Sequence, residues 1–317
     1  DIGLGIPAEP LFRSSIIITV DGFEKSYGDF KAVKGISFKV KEGSLFAFLG
    51  PNGAGKSTTI DTLCTLLACQ KGDIRIAGYQ LGKDDQKIRE SIGVVFQQSL
   101  LDASLTVKDN LFLRGSFYHL PSSKLKARIA EVAKFTGVDS ILGKKYGKMS
   151  GGQVRRADIA RALINQPKLL FLDEPMTGLD PKTREDIWNM LFKMKNEMGM
   201  TIFLTTHYME EAAQADDVVI IKKGEIVEEG TPAYMKDKYT EDHLVAYGYD
   251  ENLKADLEKA GRSVKEKNDE LWILVEGKED VLRLIDQIKD RIGFFEVRMG
   301  TMDEMFINIV GEEGKNP

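Results

Sequence analysis

Gly50-Pro51-Asn52-Gly53-Ala54-Gly55-Lys56-Ser57-Thr58 fits the pattern G-x-x-x-x-G-K-[ST], which marks a phosphate-binding loop. Glycines at 50, 53 and 55 let the backbone turn tightly, so that successive N–H groups converge on phosphate oxygens. Lys56 is spaced to reach the β- and γ-phosphates of a nucleoside triphosphate, and the Ser57 hydroxyl to ligate Mg2+. A second chemical group is Asp173-Glu174, which follows the apolar run 168–172 and precedes Pro175. Asp173 suits Mg2+ coordination, directly or through water, because hard cations take oxygen ligands. Glu174, one residue on, is placed to take a proton from an attacking water. The chemistry these residues suit is phosphoryl transfer, which asks mainly for positioning and charge stabilisation.

The elements that must position them are legible nearby. The short apolar run 45–49 reads as a buried strand entering the loop, and 58–67 as the helix leaving it, with its positive end toward the phosphates. The run 169–172 reads as a buried strand ending at the acidic pair, where ligands bind in open α/β sheets. Residues 186–198 read as a helix and 201–205 as the next parallel strand. Upstream, 16–20 and 31–40 flank a turn at Gly28-Asp29 and, with 74–77, form an antiparallel layer. A strand at 92–96 ends at Gln97-Gln98. Between 105 and 165 the periodicity turns helical, which predicts a helical insertion into the α/β core. Residues 218–221 and 226–229 predict a closing hairpin.

Between the loop and the acidic pair stands Ser150-Gly151-Gly152-Gln153, which resembles the signature motif of ABC-type ATPases. Gln97 in Val94-Val95-Phe96-Gln97, Gly178-Leu179-Asp180, His207 after its strand, and Tyr27 in Ser26-Tyr27-Gly28 resemble that family's remaining elements. They occur in family order over 21–232. The resemblance implies that the helix opened by the signature glycines, over about 153–163, caps the γ-phosphate of an opposite subunit. It implies that Gln97 serves Mg2+ and water, and that its loop contacts the membrane partner. It further implies that His207 binds the γ-phosphate and holds water near Glu174, that Asp180 crosses a dimer interface, and that Tyr27 stacks on adenine. ATP and Mg2+ are the implied ligands, Lys56, Glu174 and His207 the implied catalytic set, and Ser57, Gln97 and Asp173 the implied metal ligands. Two departures stand out. Met149 replaces the usual Leu before the signature, a site Met can fill flexibly. Met176 takes a place often held by Ser or Thr, which puts one contact in doubt.

The expected fold is α/β: a P-loop ABC-ATPase core, with a mixed sheet, an antiparallel layer and a helical subdomain at about 100–165, plus a small α+β tail. The tail's strand and helix pattern runs βαββαβ, a ferredoxin-like order. The expected domains are an extension at 1–15, the ATPase domain at 16–238 and the accessory domain at 241–317.

At 317 residues, 42% hydrophobic and 29% charged, the chain reads as folded and long enough for more than one domain. A net charge of −5 gives no electrostatic case for nucleic-acid binding. No run approaches a membrane span, and no secretory signal is visible. Cys64 and Cys69 read as reduced core fillers, which fits a cytosolic compartment. The expectation is an ATP-hydrolysing subunit, pairing with a second such subunit on the cytoplasmic face of the membrane. It would drive export through separate transmembrane subunits. The segments 105–111 and 301–306 resemble the drug- or lipid-exporting branch, the daunorubicin-resistance type. A soluble ABC ATPase acting on ribosomes or DNA is the alternative. Such proteins resemble tandem cassettes with a basic linker or cassettes split by long coiled coils, and this chain has neither. A small-molecule P-loop kinase would not explain the signature, Gln97 and His207 together.

Overall fold

The computed structural model describes residues 15–311; the expected extension lies almost wholly outside them. The chain divides into two compact units, one ending at Glu228 and the other beginning at Glu229.

The first unit begins with β1 (Ile16–Tyr27), β2 (Phe30–Lys41) and β3 (Leu45–Leu49), followed by α1 (Lys56–Leu63). Next come β4 (Lys71–Ile76), β5 (Tyr79–Gln80), α2 (Asp85–Ser91) and β6 (Ile92–Val95). The helices α3 (Val107–Ser116), α4 (Ser122–Thr136) and α5 (Gly151–Ala162) make up the expected insertion. The unit closes with β7 (Leu169–Asp173), α6 (Pro181–Met198), β8 (Thr201–Thr206), α7 (Met209–Ala212), β9 (Asp217–Lys222) and β10 (Glu225–Gly230).

Two sheets form. The order β2-β1-β4-β5 is an antiparallel layer, and β10-β9-β3-β8-β7-β6 is the central sheet. Within the latter, β9, β3, β8, β7 and β6 run parallel. Every residue of β3 is buried, as expected for a strand covered on both faces. The layers meet through rings. Phe203 on β8 sits 5.2–6.3 Å from Phe46, Phe171, Phe48 and Phe38, the last of these from the antiparallel layer.

Two helix boundaries differ from the sequence reading. The helix after the loop ends at Leu63, four residues early, because Thr65 takes the left-handed region at φ 63°. Cys64 is therefore its buried cap, and the half-buried Cys69 lies beyond it; both are free thiols. The helix predicted from 186 starts at Pro181, because Asp180 caps it by accepting from Thr183 N and proline suits the first turn.

The second unit holds α8 (Pro232–Tyr239), β11 (Asp242–Tyr247), α9 (Leu253–Lys259), β12 (Val264–Lys267), β13 (Glu270–Val275), α10 (Gly277–Ile288), β14 (Phe294–Arg298) and α11 (Met302–Val310). The predicted strand and helix order of the tail is present. Its sheet, β12-β13-β11-β14, is antiparallel throughout. Leu244, Ala246, Leu271 and Ile273 pack with Leu253, Leu257, Leu284 and Ile288 as its core. The division falls ten residues earlier than the expected end of the first domain at 238, because α8 packs on α11. Met235 and Met305 are fully buried, and Asn308 Nδ2 donates to Tyr239 O at 2.8 Å. Arg262 grips Asp280 with two bonds of 2.8 Å, and these hold the Asp280 carboxyl down at about 2 against the opposing effect of burial.

Phe203→Ala removes the ring shared by both layers and is expected to cost about 3–5 kcal/mol, read by denaturant unfolding. The depressed Asp280 carboxyl contributes stability above its unfolded value of about 3.9, and this is lost as pH falls toward 2. Asp280→Asn should therefore melt below wild type at pH 6, with the gap closing by pH 2, as followed by calorimetry.

Candidate functional site

The loop 50–55 leaves the buried end of β3 and is clamped from behind. A Cβ at Gly50 would come within 2.4 Å of Ile221 O on β9, so glycine here is required for space. Gly53 and Gly55, at φ 76° and 109°, supply the turn itself. Gly224 N donates to Ala54 O at 2.9 Å, tying the loop to the β9–β10 turn. Helix α1 starts without a side-chain cap, which leaves its amino end to an anionic group. Lys56 is 6% exposed and donates to Gly50 O (2.6 Å) and Pro51 O (3.1 Å). Burial lowers its pKa, and the carboxylates of Glu174 and Asp173 oppose that shift.

Opposite the loop, β7 delivers the acidic pair. Asp173 accepts a hydrogen bond from the Thr205 hydroxyl on β8. Burial raises its pKa first; the Thr205 bond and the Lys56 charge pull it back, while the Glu174 charge adds to the rise. Glu174 leaves the strand at φ 43°, anchored by N–H bonds of 3.2 Å to Thr205 O and Oγ1. Three side chains then hold its carboxylate. Gln97 Nε2 donates to Oε2 at 3.1 Å, Thr177 Oγ1 donates to Oε2 at 3.4 Å, and His207 Nδ1 lies 3.1 Å from Oε1.

These groups share one cleft of about 560 Å3. Asn52, Gly53, Gly55, Lys56, Ser57 and Thr58 line one wall; Gln97, Glu174, Thr177 and His207 line another. Tyr27, Phe30 and Ala32 close it from the antiparallel layer. Gly50, Pro51 and Ala54 form the loop without lining the cleft, and Asp173 stands behind Glu174. Tyr27 is half exposed, available to a planar ligand.

The remaining sequence-predicted residues lie elsewhere. Ser150 caps α5 in a reciprocal box with Gln153, and neither they nor Gly151, Gly152 and Asp180 line the cleft. They form a second group: a Cβ at Gly152 would meet Thr183 Cγ2 at 2.5 Å, in the turn that Asp180 caps. The two groups are separate within the chain.

Four contributors were missed by sequence reading. Thr205 was legible as the residue beside the acidic pair on the adjacent parallel strand. Phe30 is the cross-strand partner of Tyr27 across the Gly28-Asp29 turn, a register the hairpin signal already held. Thr177 supplies a hydroxyl to Glu174, while Met176 is buried in the core. Arg155, on the signature helix, gave no local signal. It is buried and donates to Phe96 O (2.8 Å) and Gln97 O (3.3 Å), so it ties α5 to the Gln97 loop.

The sequence profile of ABC transporters matches residues 33–177. The linearmycin resistance ATP-binding protein LnrL of Bacillus subtilis is 41% identical over 68% of this chain and 69% of its own. A Nod factor export ATP-binding protein I of Burkholderia orbicola is 34% identical over 92% of this chain and 95% of its own. This chain belongs to the ABC transporter ATP-binding proteins. It is an ATPase of that family, and its relatives are those of the drug-resistance and export branch that its sequence resembles. In three dimensions it is similar to the ATP-binding cassette MJ0796, solved as a post-hydrolysis dimer with ADP and Pi. The TM-score is 0.62 at 30% identity, over 68% of this chain and 98% of that one. The cassette similarity thus covers a share of the chain comparable to the first unit.

Arg155→Ala in this ATPase should cost about 1–3 kcal/mol by leaving buried carbonyls without a donor. It should also lower kcat at least tenfold by freeing the Gln97 loop, with partial recovery in Arg155→Lys; melting curves and steady-state ATPase assays read both.

Proposed function

We propose that this chain is the ATP-hydrolysing subunit of an exporter, working as one of a pair that closes on two ATP–Mg2+ and opens after hydrolysis. The observation that carries this reading is the separation of half-sites. The cleft holds the loop, Glu174 and His207, while Ser150–Gln153 and Asp180 form a group outside it. A complete charge cage around the γ-phosphate then needs the signature of a second subunit. The dimeric cassette MJ0796 and the export and resistance names of the relatives support the same assignment.

In the closed pair, Lys56 exchanges its bonds to Gly50 O and Pro51 O for phosphate oxygens, and the α1 amino end and loop amides add partial positive charge. The α5 amino end of the partner, opened by Ser150, Gly151, Gly152 and Gln153, caps the γ-phosphate. Tyr27 stacks on the adenine. Ser57 and Gln97 line the cleft and Asp173 lies next to Glu174 in the chain, so a hydroxyl, an amide oxygen and a carboxylate would hold Mg2+. When bound, the ion neutralises phosphate charge. Glu174 accepts a proton from water as the water oxygen bonds to the γ-phosphorus and the bond to the β–γ bridging oxygen breaks. Gln97, Thr177 and His207 hold Glu174 in place for that transfer, and Asp180 meets the partner at the interface.

Closing and opening would pass to separate transmembrane subunits at the cytoplasmic face of the membrane. Among the described residues no helix is long and apolar enough to cross a bilayer. The unit from Glu229 onward is an accessory domain that regulates or pairs the subunits.

Glu174→Gln should slow hydrolysis by roughly 10²–10⁴-fold, the usual worth of a general base, and retain ATP. With ATP–Mg2+ it should sediment as a dimer; a monomer at saturating nucleotide would refute the paired site. Purification from its own cells should bring a multi-span membrane protein, whereas ribosomal proteins or DNA alone would favour the soluble alternative.

A further inference from the structure

Two charged side chains near the site carry buried polar atoms that lack hydrogen bonds. Glu211 is 3% exposed, yet neither carboxylate oxygen has a partner, and Arg184 Nε is likewise buried and unbonded. The Thr206 hydroxyl beside Glu211 accepts from Tyr208 N at 2.9 Å, and its own proton favours the charged form of the Glu211 carboxyl. The guanidinium of Arg184 instead makes only a long contact, 3.9 Å, with the exposed Glu210. A buried carboxyl without a donor is costly, and a fold keeps one only where something offsets it.

Where the two groups sit is informative. Arg184 lies in the first turn of α6, with its N–H donating to Asp180 O at 3.0 Å. Thr183, its neighbour, both caps onto Asp180 and meets Gly152 of the signature. Glu211 lies in α7, four residues after His207, with its N–H donating to Tyr208 O. One side of this gap is therefore the half-site offered to a second subunit, and the other is the turn that carries His207 to Glu174.

We propose that Arg184 and Glu211 are a positioning pair: on closure of two subunits, Arg184 leaves Glu210 and bonds the Glu211 carboxylate, fixing the His207 turn against α6. The proposal rests on the ATPase reading above and adds to it a link inside one chain between the signature face and the hydrolytic cleft. The open chain has the donor and the acceptor on adjacent elements, with the Glu211 carboxyl and the Arg184 Nε already shielded from water. Forming the bond therefore removes an existing penalty, and a bidentate guanidinium–carboxylate contact is directional enough to hold a turn. Burial pushes the Glu211 carboxyl up to about 7, opposed first by the Thr206 hydroxyl and then by Arg184, and reinforced by the Glu174 and Glu210 charges. Arg155 on α5 also faces Glu211. The pair would thus be weakest below neutrality, where Glu211 holds its proton.

Steady-state ATPase assays on the full chain test this, with Glu211→Gln, Arg184→Met, Arg184→Lys and the double variant Glu211→Gln/Arg184→Met. Each of the first two should lower kcat about tenfold with KM for ATP–Mg2+ within twofold. Arg184→Lys should recover part of the loss, and the double variant should be no slower than the slower single one. The acidic limb of the kcat profile near pH 7 should flatten in Glu211→Gln. Folded Glu211→Gln with kcat within twofold of wild type, or multiplicative losses in the double variant, would overturn the pair. If Glu211→Gln fails to fold, Arg184→Met decides alone, since that side chain is a third exposed; unchanged kcat there overturns the pair too. Wild type that does not hydrolyse ATP would instead overturn the underlying ATPase reading, and the pair with it.

Discussion

The parallel register of β3, β8 and β7 is the constraint on which the site depends. Leu49 pairs with Thr206 and Asp173 with Thr205, so the three strands end at one level. From that shared edge the chain releases the phosphate loop, the acidic pair and His207 in three adjacent exits. A one-residue slip of β7 would turn every one of its side chains to the opposite face and carry Asp173 away from Thr205. The phenylalanine cluster about Phe203 secures this register, because it locks the central strands to each other and to the antiparallel layer that supplies Tyr27.

Around that edge, buried charge is managed by backbone oxygens more than by ion pairs. Lys56 bonds the carbonyls of its own loop, Arg155 those of the Gln97 loop, and Arg128 those closing the signature helix, at Leu163 and Ile164. Arg161 likewise donates to Val94 O on β6. Each guanidinium buries its charge against fixed dipoles, so the helical region is fastened to the sheet at points that a ligand-driven shift at Gln97 would pull on directly. Lys56, by contrast, keeps bonds it can exchange for phosphate. Rigidity and exchangeability are thus assigned to different cations.

Much of this was legible beforehand. The strand into the loop, the acidic pair at a strand end and the helical insertion all have local causes: continuous apolar runs, a glycine-rich exit and 3.6-residue periodicity. Boundaries failed where a single residue decided them, as at Thr65, whose left-handed backbone stops α1, and at Asp180, whose cap starts α6 early. Arg155 escaped notice because its partners, Phe96 and Gln97, are distant in the chain, whereas Thr177 lies close to Glu174 in sequence and only the turn after β7 decides that its hydroxyl reaches the carboxylate.

By itself the sequence determined the kinds of groups present and their order: a loop that binds phosphate, a carboxylate to take a proton, a signature to open a helix, and strands able to hold them. Those properties follow from residue type and spacing, which act over a few positions of the chain. Only the tertiary structure decided which groups meet. It gathered Gln97 and His207 on one carboxylate, set the signature and Asp180 apart from that cleft, and left Arg184 Nε and the Glu211 carboxyl shielded on adjacent elements without a bond. Such pairings depend on strand register and helix packing across scores of residues, and no local spacing encodes them.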